Sequence, residues 1–335
     1  TINNDDQVEK DFNDVERTGM RAKLKIDLND NWTVTPGIIY QEQDSNGVFH
    51  HDPDDIGDLE TSEFFDTFFD EQWYQASLTV EGKIGNMDLV YAGAYLDRDR
   101  DSQYDYTGYA IYLEDLYAGY GSCYAVAASG DCANSSQYVA QDENWNRESH
   151  EIRLQSSQDQ RLRFLIGLFY QDSQHDFDLQ YTMPDIDPAN SLVEGGLAVW
   201  QTKQVRNDQD QAVFGEFSFD ISEQLTALVG FRYYEYENEL YGFNGFIGHC
   251  TGFYDANGKF VEDRVNGSVQ YPCFDTRILD DVKENDDSIF KANLTWTISE
   301  DKLVYATWSE GYRAGGVNRA RGTGAPSYEE DFTTN

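Results

Sequence analysis

The chain has 335 residues, of which 24 are basic and 62 acidic, so its formal net charge at pH 7 is −38. Such acidity argues against a nucleic-acid partner and against adsorption to anionic headgroups, because both need a basic surface. It is typical either of a well-solvated surface or of one that concentrates cations or cationic ligands. Aromatic residues make up 15% of the chain, against only 6 Pro. Because tyrosine and phenylalanine favour half-buried pleated strands, the composition favours one large β-domain.

The sequence lacks the apolar run of about 18 residues that a transmembrane helix needs. It also opens on polar and acidic residues instead of a signal peptide. A transmembrane β-strand needs only about 9–11 residues of alternating character. The sequence is therefore compatible with a membrane-spanning β-barrel.

Five β-hairpins are predicted in chain order from alternating polar and apolar residues around turn-forming residues. In the first, Ala22, Leu24, Ile26 and Leu28 share one face of the strand. The predicted strand pairs are 17–30 with 32–43, 72–80 with 88–97, 150–155 with 162–170, 209–220 with 224–236, and 290–298 with 303–308.

The connections between these hairpins are long, about 25–45 residues in this reading, and include one at 175–207. Soluble domains have loops with a median of about 4–6 residues at both ends of a sheet. Short turns at one end and long loops at the other are typical of outer-membrane barrels. Aromatic residues near strand ends, such as Trp32, Tyr40 and Tyr233, suit the interfacial girdles of such a barrel. The predicted fold is all-β, a transmembrane antiparallel β-barrel, and the alternative is a soluble β-domain with aromatic edges.

The four cysteines lie in two long connections, Cys123 and Cys132 in one, Cys250 and Cys273 in the other. Four cysteines permit three pairings. Proximity in sequence favours Cys123–Cys132 and Cys250–Cys273, each of which would restrict a loop on the oxidising side of a membrane. A Cys₄ metal site is the alternative, but the C-x₂-C spacing is missing.

Other clusters of polar residues give weaker signals. His50 and His51 beside acidic residues could hold a metal, but neighbouring residues on a strand point in opposite directions, so we expect none. The charged runs 97–101 and 284–287 are interpreted as solvated loop bases. Catalytic and phosphate-binding motifs are missing from the sequence, which favours a non-enzyme without a cofactor.

The stretch 303–319 begins as a strand and then meets Gly311, Gly315 and Gly316. At these glycines the backbone can adopt positive φ and leave the sheet. The segment 312–321 would then lie at the mouth of the barrel, outside any core.

Three motifs carry a resemblance to TonB-dependent outer-membrane receptors. Residues 151–156 (EIRLQS) with 167–170 (GLFY) resemble the central barrel hairpin of that family, and 214–217 (FGEF) with 230–233 (GFRY) resemble the next one. Residues 305–318 (YATWSEGYRAGGVN) are similar to the most recognisable barrel motif of the family.

The resemblance implies a 22-stranded barrel, closed by an N-terminal plug, that imports scarce ligands with energy from an inner-membrane complex. About ten strands are visible, so residues 1–335 are expected to form a single partial barrel domain without the plug and the C-terminal strands. The implied location is the bacterial outer membrane, in contact with its lipid. The implied partners are a ferric siderophore or similar small ligand and, through the plug, a TonB-type energy-coupling protein.

The resemblance implies that aromatic, basic and polar side chains of the loops and the upper lumen bind the ligand. The candidates are Tyr312, Arg313, Asn318, Arg319 and Arg321. A guanidinium can grip carboxylates or the negative oxygens of a chelate, although Arg313 could instead pair with a carboxylate of the barrel wall. Two other functions remain open, a passive porin and a soluble or surface β-domain for adhesion or glycan binding.

Overall fold

The computed structural model describes residues 10–51, 53–54, 56–193, 195–247, 279–318 and 325–335, with the backbone of four short strands between 252 and 269. Its strands are β1 (Val15–Lys23), β2 (Ile26–Asn29), β3 (Trp32–Asn46), β4 (Phe68–Ile84), β5 (Met87–Asp105), β6 (Tyr138–Ser156), β7 (Leu162–Thr182), β8 (Ala198–Asp220), β9 (Leu225–Phe246), β10 (Gly252–Tyr254), β11 (Phe260–Glu262), β12 (Arg264–Val265), β13 (Ser268–Val269), β14 (Leu279–Ser299), β15 (Lys302–Arg313), β16 (Gly316–Val317), β17 (Ser327–Tyr328) and β18 (Asp331–Thr334). Helix α1 (Thr107–Ala118) and the 3₁₀ turn Pro188–Asn190 lie in connections.

Twelve strands form one antiparallel sheet in the order β1-β3-β4-β5-β6-β7-β8-β9-β14-β15-β18, with β2 also paired to β3. The five predicted hairpins and the antiparallel all-β fold are confirmed. Within the described part of the chain β1 and β18 do not pair with each other, so this sheet is open. Because strand direction alternates, all tight turns lie at one edge, the turn edge, and the long connections lie at the opposite loop edge.

Several strands extend further toward the loop edge than the sequence pattern predicts. The connection predicted at 175–207 spans only 183–197, because β7 and β8 stay paired up to Thr182 and Ala198. Alternation of apolar and polar residues indicates that one face of a strand is buried. The backbone hydrogen bonds between two strands form without such alternation. The predicted loop length was therefore wrong where both faces of a strand are polar.

The single strand predicted at 17–30 is instead two strands, β1 and β2, which pair with β3 in the same register as far as Asp27, before a shift of register at Asn29. The break at Leu24 and Lys25 lies opposite Pro36. Leu24 donates its amide to the Pro36 carbonyl (3.1 Å), but proline has no N–H to return a hydrogen bond. The interruption therefore follows from one missing donor.

The two faces of the sheet differ in chemistry. One face, the outer face, exposes apolar side chains toward the turn edge, including Leu168 (56% exposed), Val229 (57%) and Phe290 (50%). The opposite face, which we call the inner face, carries the residues that alternate with the outward-pointing ones along each strand. They include the buried Ala212 and Tyr234. An exposed apolar band is typical of the lipid-facing side of a transmembrane barrel. Among the described residues, no helix is both long and apolar enough to cross a membrane.

The connections at the loop edge pack into a small core of their own. Ala110 of α1, Tyr124, Met183, Leu192 and Val199 are buried together there. Burial also raises the pKa of the Tyr124 phenol above its usual range. The loop edge is thus built from interlocking connections.

One of the two expected disulfides lies beside the loop-edge core. Cys123 and Cys132 are bonded, with 5.2 Å between their Cα atoms. Cys250 and Cys273 lie outside the described residues.

Candidate ligand-binding surface

The strand that carries the family-like motif changes partner partway along. β15 pairs with β14 as far as Ser309, opposite Lys291, and its remaining residues pair with β18. An even-numbered residue of β15 would share the outer face with Trp308 if the strand stayed straight. Tyr312 lies on the inner face instead, at a point where the strand no longer pairs with β14.

Tyr312 joins an aromatic and charged cluster on the inner face. Its ring stacks on the fully buried Tyr234, with centroids 3.6 Å apart and planes 7° from parallel. Its hydroxyl donates to Asp210 Oδ2 (3.3 Å). Asp210 also pairs with Arg232 (3.3 Å), whose guanidinium lies 5.1 Å from the centre of the Phe169 ring. This predicted site residue is therefore held in a fixed orientation.

The described parts of the connection that follows, residues 314–318 and 325–330, fold against the inner face, and we call these two segments the inner-wall loop. Gly315 donates its amide to the Tyr236 hydroxyl (3.0 Å) and Val317 donates its amide to Asn238 Oδ1 (2.7 Å). Arg206 donates to the Val317 carbonyl (3.1 Å). Val317 is only 1% exposed. The expectation that 312–321 lies outside any core is therefore wrong for its first half, because the wall supplies partners for the loop backbone.

The other end of the inner-wall loop is fastened to β9 and β14. The Tyr236 hydroxyl donates to Glu330 Oε2 (3.0 Å), and Asn285 also binds Glu330. Lys283 pairs with Glu329 (2.5 Å). Both ends of the loop thus rest on the inner faces of β9 and β14.

Gly311, Gly315 and Gly316 do not make use of the positive φ that glycine permits. What Gly315 and Gly316 need is space. A Cβ on Gly315 would lie 2.6 Å from the Tyr328 carbonyl oxygen and 2.8 Å from the Tyr236 hydroxyl oxygen. Glycine permits this close approach of the backbone to the wall.

The other predicted binding residues occupy different surroundings. Arg313 is exposed and pairs with Asp331, which is also exposed. Asn318 donates its side-chain amide to the Ala325 carbonyl (3.2 Å) and so bridges the two arms of the inner-wall loop. Arg319 and Arg321 lie outside the described residues.

A second inner-face cluster was missed by the sequence interpretation. The run 97–101 belongs to β5 and the run 284–287 to β14, so neither is a solvated loop base. Because side chains alternate along a strand, Arg98 and Arg100 share the inner face and the three aspartates of the run share the outer one. The strict alternation of charge sign in DRDRD was the signal that could have revealed this.

Arg98 and Arg100 lie among carboxylates and aromatic rings. Arg98 pairs with Glu71 and Arg100 with Glu143. His175 Nε2 lies 3.5 Å from the Glu143 carboxylate. Each guanidinium is therefore already neutralised by one carboxylate of the wall.

Aromatic rings pack beside the arginines of this second cluster. The rings of Trp145 and His175 stack with centroids 4.2 Å apart and planes 9° from parallel. The Arg98 guanidinium lies 5.9 Å from the centre of the Trp145 ring. Flat rings beside a guanidinium can hold a planar, electron-rich group by stacking and by charge-assisted hydrogen bonds.

The structure gives little support for a metal site among the described residues. His51 lies 3.9 Å from Asp58 in the connection before β4, and this contact alone is no ligand set. Glu114, Cys123 and Cys132 come within 4.8 Å of one another, but the two sulfur atoms are bonded to each other.

Comparison with solved structures places this sheet in a known architecture. The ferric yersiniabactin uptake receptor FyuA from Yersinia pestis matches 96% of this chain with a TM-score of 0.64 and 11% identity. The ferric-catecholate import receptor Fiu from Escherichia coli K12 matches 91% with a TM-score of 0.56 and 12% identity. The alcaligin outer-membrane receptor FauA from Bordetella pertussis matches 90% with a TM-score of 0.52 and 13% identity. The chain spans less than half of these structures, namely 42%, 44% and 36% of their lengths.

A search of curated proteins finds no match to the sequence. The family model described as TonB-dependent receptor-like β-barrel matches residues 54–335. That match covers most of the chain, including the hairpins from β4 to β15 and the inner-wall loop. The chain therefore belongs to the TonB-dependent receptor β-barrel family.

Proposed function

We propose that this chain is barrel wall of an outer-membrane receptor that imports a scarce ligand, most specifically a ferric siderophore. The activity is transport, without a catalysed chemical step or a resident cofactor. Its energy comes from a TonB-type protein that acts through the plug of the whole receptor. The outer face, apolar toward the turn edge, contacts membrane lipid.

The observation that carries this proposal is the composition of the inner face. Rings from Trp145 and His175 lie there beside the guanidinium groups of Arg98 and Arg100. The Tyr312 ring lies in the other inner-face cluster, beside the ion pair of Asp210 with Arg232. A ferric chelate offers aromatic or carboxylate oxygen donors around a metal that its own ligands enclose. Stacking surfaces and bidentate donors complement such a molecule.

Tyr312, Arg313, Asn318, Arg319 and Arg321 stay our proposed binding residues near the loop edge. Arg98, Arg100, Trp145 and His175 are added to them from the geometry of the inner face. Because Arg98, Arg100 and Arg313 each already pair with a carboxylate, an anionic chelate must compete for them. Selectivity for one chelate would then follow from which of these pairs it can replace.

Binding to the intact receptor tests the proposal. Purified protein is titrated with ferric citrate, a ferric tricatecholate, a ferric trihydroxamate, cobalamin and a maltodextrin, and tryptophan fluorescence is followed. We expect saturable quenching by one ferric chelate. Saturable binding of cobalamin or maltodextrin alone would overturn the siderophore assignment, and no saturable binding would overturn the receptor function.

A further inference from the structure

We propose that Tyr236 is a positioning residue that latches both ends of the inner-wall loop to the barrel wall and so holds Tyr312 in place. This inference rests on the proposed function only in the consequence for ligand binding. The latch itself is a property of described contacts and can be tested separately.

The Tyr236 hydroxyl uses both of its hydrogen-bonding roles on one loop. It accepts from the Gly315 amide and donates to the Glu330 carboxylate, each over 3.0 Å. A phenol has one hydrogen to donate and lone pairs to accept, so this oxygen joins the two ends of the loop directly. Tyr236 is 5% exposed, so water competes little for these bonds.

Neighbouring residues fit this latch closely. A Cβ on Gly316 would lie 3.0 Å from Asn238 Oδ1 and 2.5 Å from the Tyr328 hydroxyl oxygen. Gly315 leaves space for Tyr236 in the same way. The absence of a Cβ at these two consecutive residues therefore lets the loop backbone approach β9 closely. Val317 then fills a small apolar site with Leu240 and Leu279.

The latch reaches Tyr312 through adjacent contacts. Gly315 follows Tyr312 by three residues, and the ring on which Tyr312 stacks, Tyr234, precedes Tyr236 by two residues on the same strand face. The rings of Tyr234 and Tyr236 are 6.5 Å apart and 21° from parallel. One hydroxyl therefore governs where the chain that carries Tyr312 meets the wall.

A buried thiol reports directly on the latch. Val317→Cys is introduced into the intact receptor in outer membranes, and the rate of its reaction with a maleimide is measured, with native cysteine labelling subtracted. We expect Tyr236→Phe to speed labelling about tenfold, since losing hydrogen bonds worth about 1.4 kcal/mol shifts an equilibrium by that factor. An unchanged rate would overturn the latch.

Matched controls separate the latch from general loosening. Tyr233→Phe removes a hydroxyl that binds Glu235 and Asp286 beside the outer face and should leave labelling unchanged. Gly315→Ala should also speed labelling, because its Cβ would meet the Tyr236 hydroxyl and the Tyr328 carbonyl. The double variant should add less than the sum of the two single effects, because both changes disturb the contact of Gly315 with Tyr236. Gly311→Ala should have little effect, since its Cβ would meet only a methyl group of Thr333 at 3.2 Å. Equal acceleration by all of these variants would contradict a specific latch.

Affinity measurements test the positioning role. The same variants are titrated with ferric citrate, a ferric tricatecholate and a ferric trihydroxamate. We expect Tyr236→Phe to lower the affinity for whichever chelate the parent binds by about three- to tenfold. Tyr233→Phe should leave that affinity unchanged. Faster labelling with unaltered affinity would overturn positioning, whereas failure of the parent to bind any chelate would overturn the proposed function and leave the latch standing.

Discussion

Individual side chains of the inner face decide what this barrel wall can hold. Trp145 and His175 present flat rings, while Arg98 and Arg100 supply positive charge in a chain whose net charge is −38. These four residues come from β5, β6 and β7, which the hydrogen-bonded register brings side by side. The surface is thus a product of strand alignment and strand alternation.

Trp145 should contribute to binding through its ring. We expect Trp145→Ala to lower the affinity for a ferric tricatecholate about tenfold and the affinity for ferric citrate much less, because only the tricatecholate offers rings to stack. Isothermal titration of the intact receptor measures both. Trp296→Ala, a change on the outer face where this residue is 50% exposed, is the control and should alter neither affinity.

Glu143 should stabilise the fold of this region. It is 7% exposed and accepts from Arg100 and Gln141. Glu143→Gln removes the charge that neutralises a half-buried guanidinium, so we expect a loss of about 1–3 kcal/mol in the free energy of unfolding. Urea titration in detergent micelles checks this, and a variant as stable as the parent would contradict it.

At the scale of elements, strands near the turn edge could be predicted and the loop edge could not. Apolar alternation from Leu162 to Tyr170 indicates β7 correctly, whereas its polar continuation to Thr182 gives no periodic signal. The inner-wall loop depends on Tyr236 and Asn238, each 79 residues away from the amide it binds. Local sequence patterns carry no information about such distant partners. The sequence therefore predicts this segment at the mouth of the barrel, whereas its first half lies on the wall.

The gap between β1 and β2 should close when its cause is removed. Pro36→Ala supplies an amide opposite Leu24, so we expect slower hydrogen exchange at residues 22–26. Mass spectrometry of peptides that cover these residues measures the change. Unaltered exchange there would show that the missing donor is not the cause of the gap.

The Cys123–Cys132 disulfide should protect the loop-edge core. We expect the Cys123→Ser/Cys132→Ser variant to be cleaved faster by protease within 106–137, since the bond closes a short loop next to buried Tyr124. The sheet should keep its stability, because the core lies beyond the paired strands. Equal cleavage rates in the parent and the variant would argue against this role.

At the scale of the whole chain, the described strands form an open antiparallel sheet, and in the proposed function its outer face contacts lipid and its inner face lines the lumen. An arginine on the lipid-facing side should therefore cost about 2–4 kcal/mol in the free energy of folding into a bilayer. Leu168→Arg tests this near the middle of the exposed apolar band. Gln209→Arg, on the polar part of the outer face closer to the loop edge, is the matched control and should cost much less. Equal costs would contradict this orientation of the sheet in the membrane.

The central claim is energised import of a ferric chelate through this wall, and uptake of ⁵⁵Fe tests it most directly. Cells that produce the intact receptor, with and without a functional TonB protein, are given ⁵⁵Fe as citrate, tricatecholate or trihydroxamate chelates. We predict saturable uptake of one chelate that is lost without TonB. Uptake that persists without TonB and rises in proportion to concentration would instead show a passive pore and contradict the account.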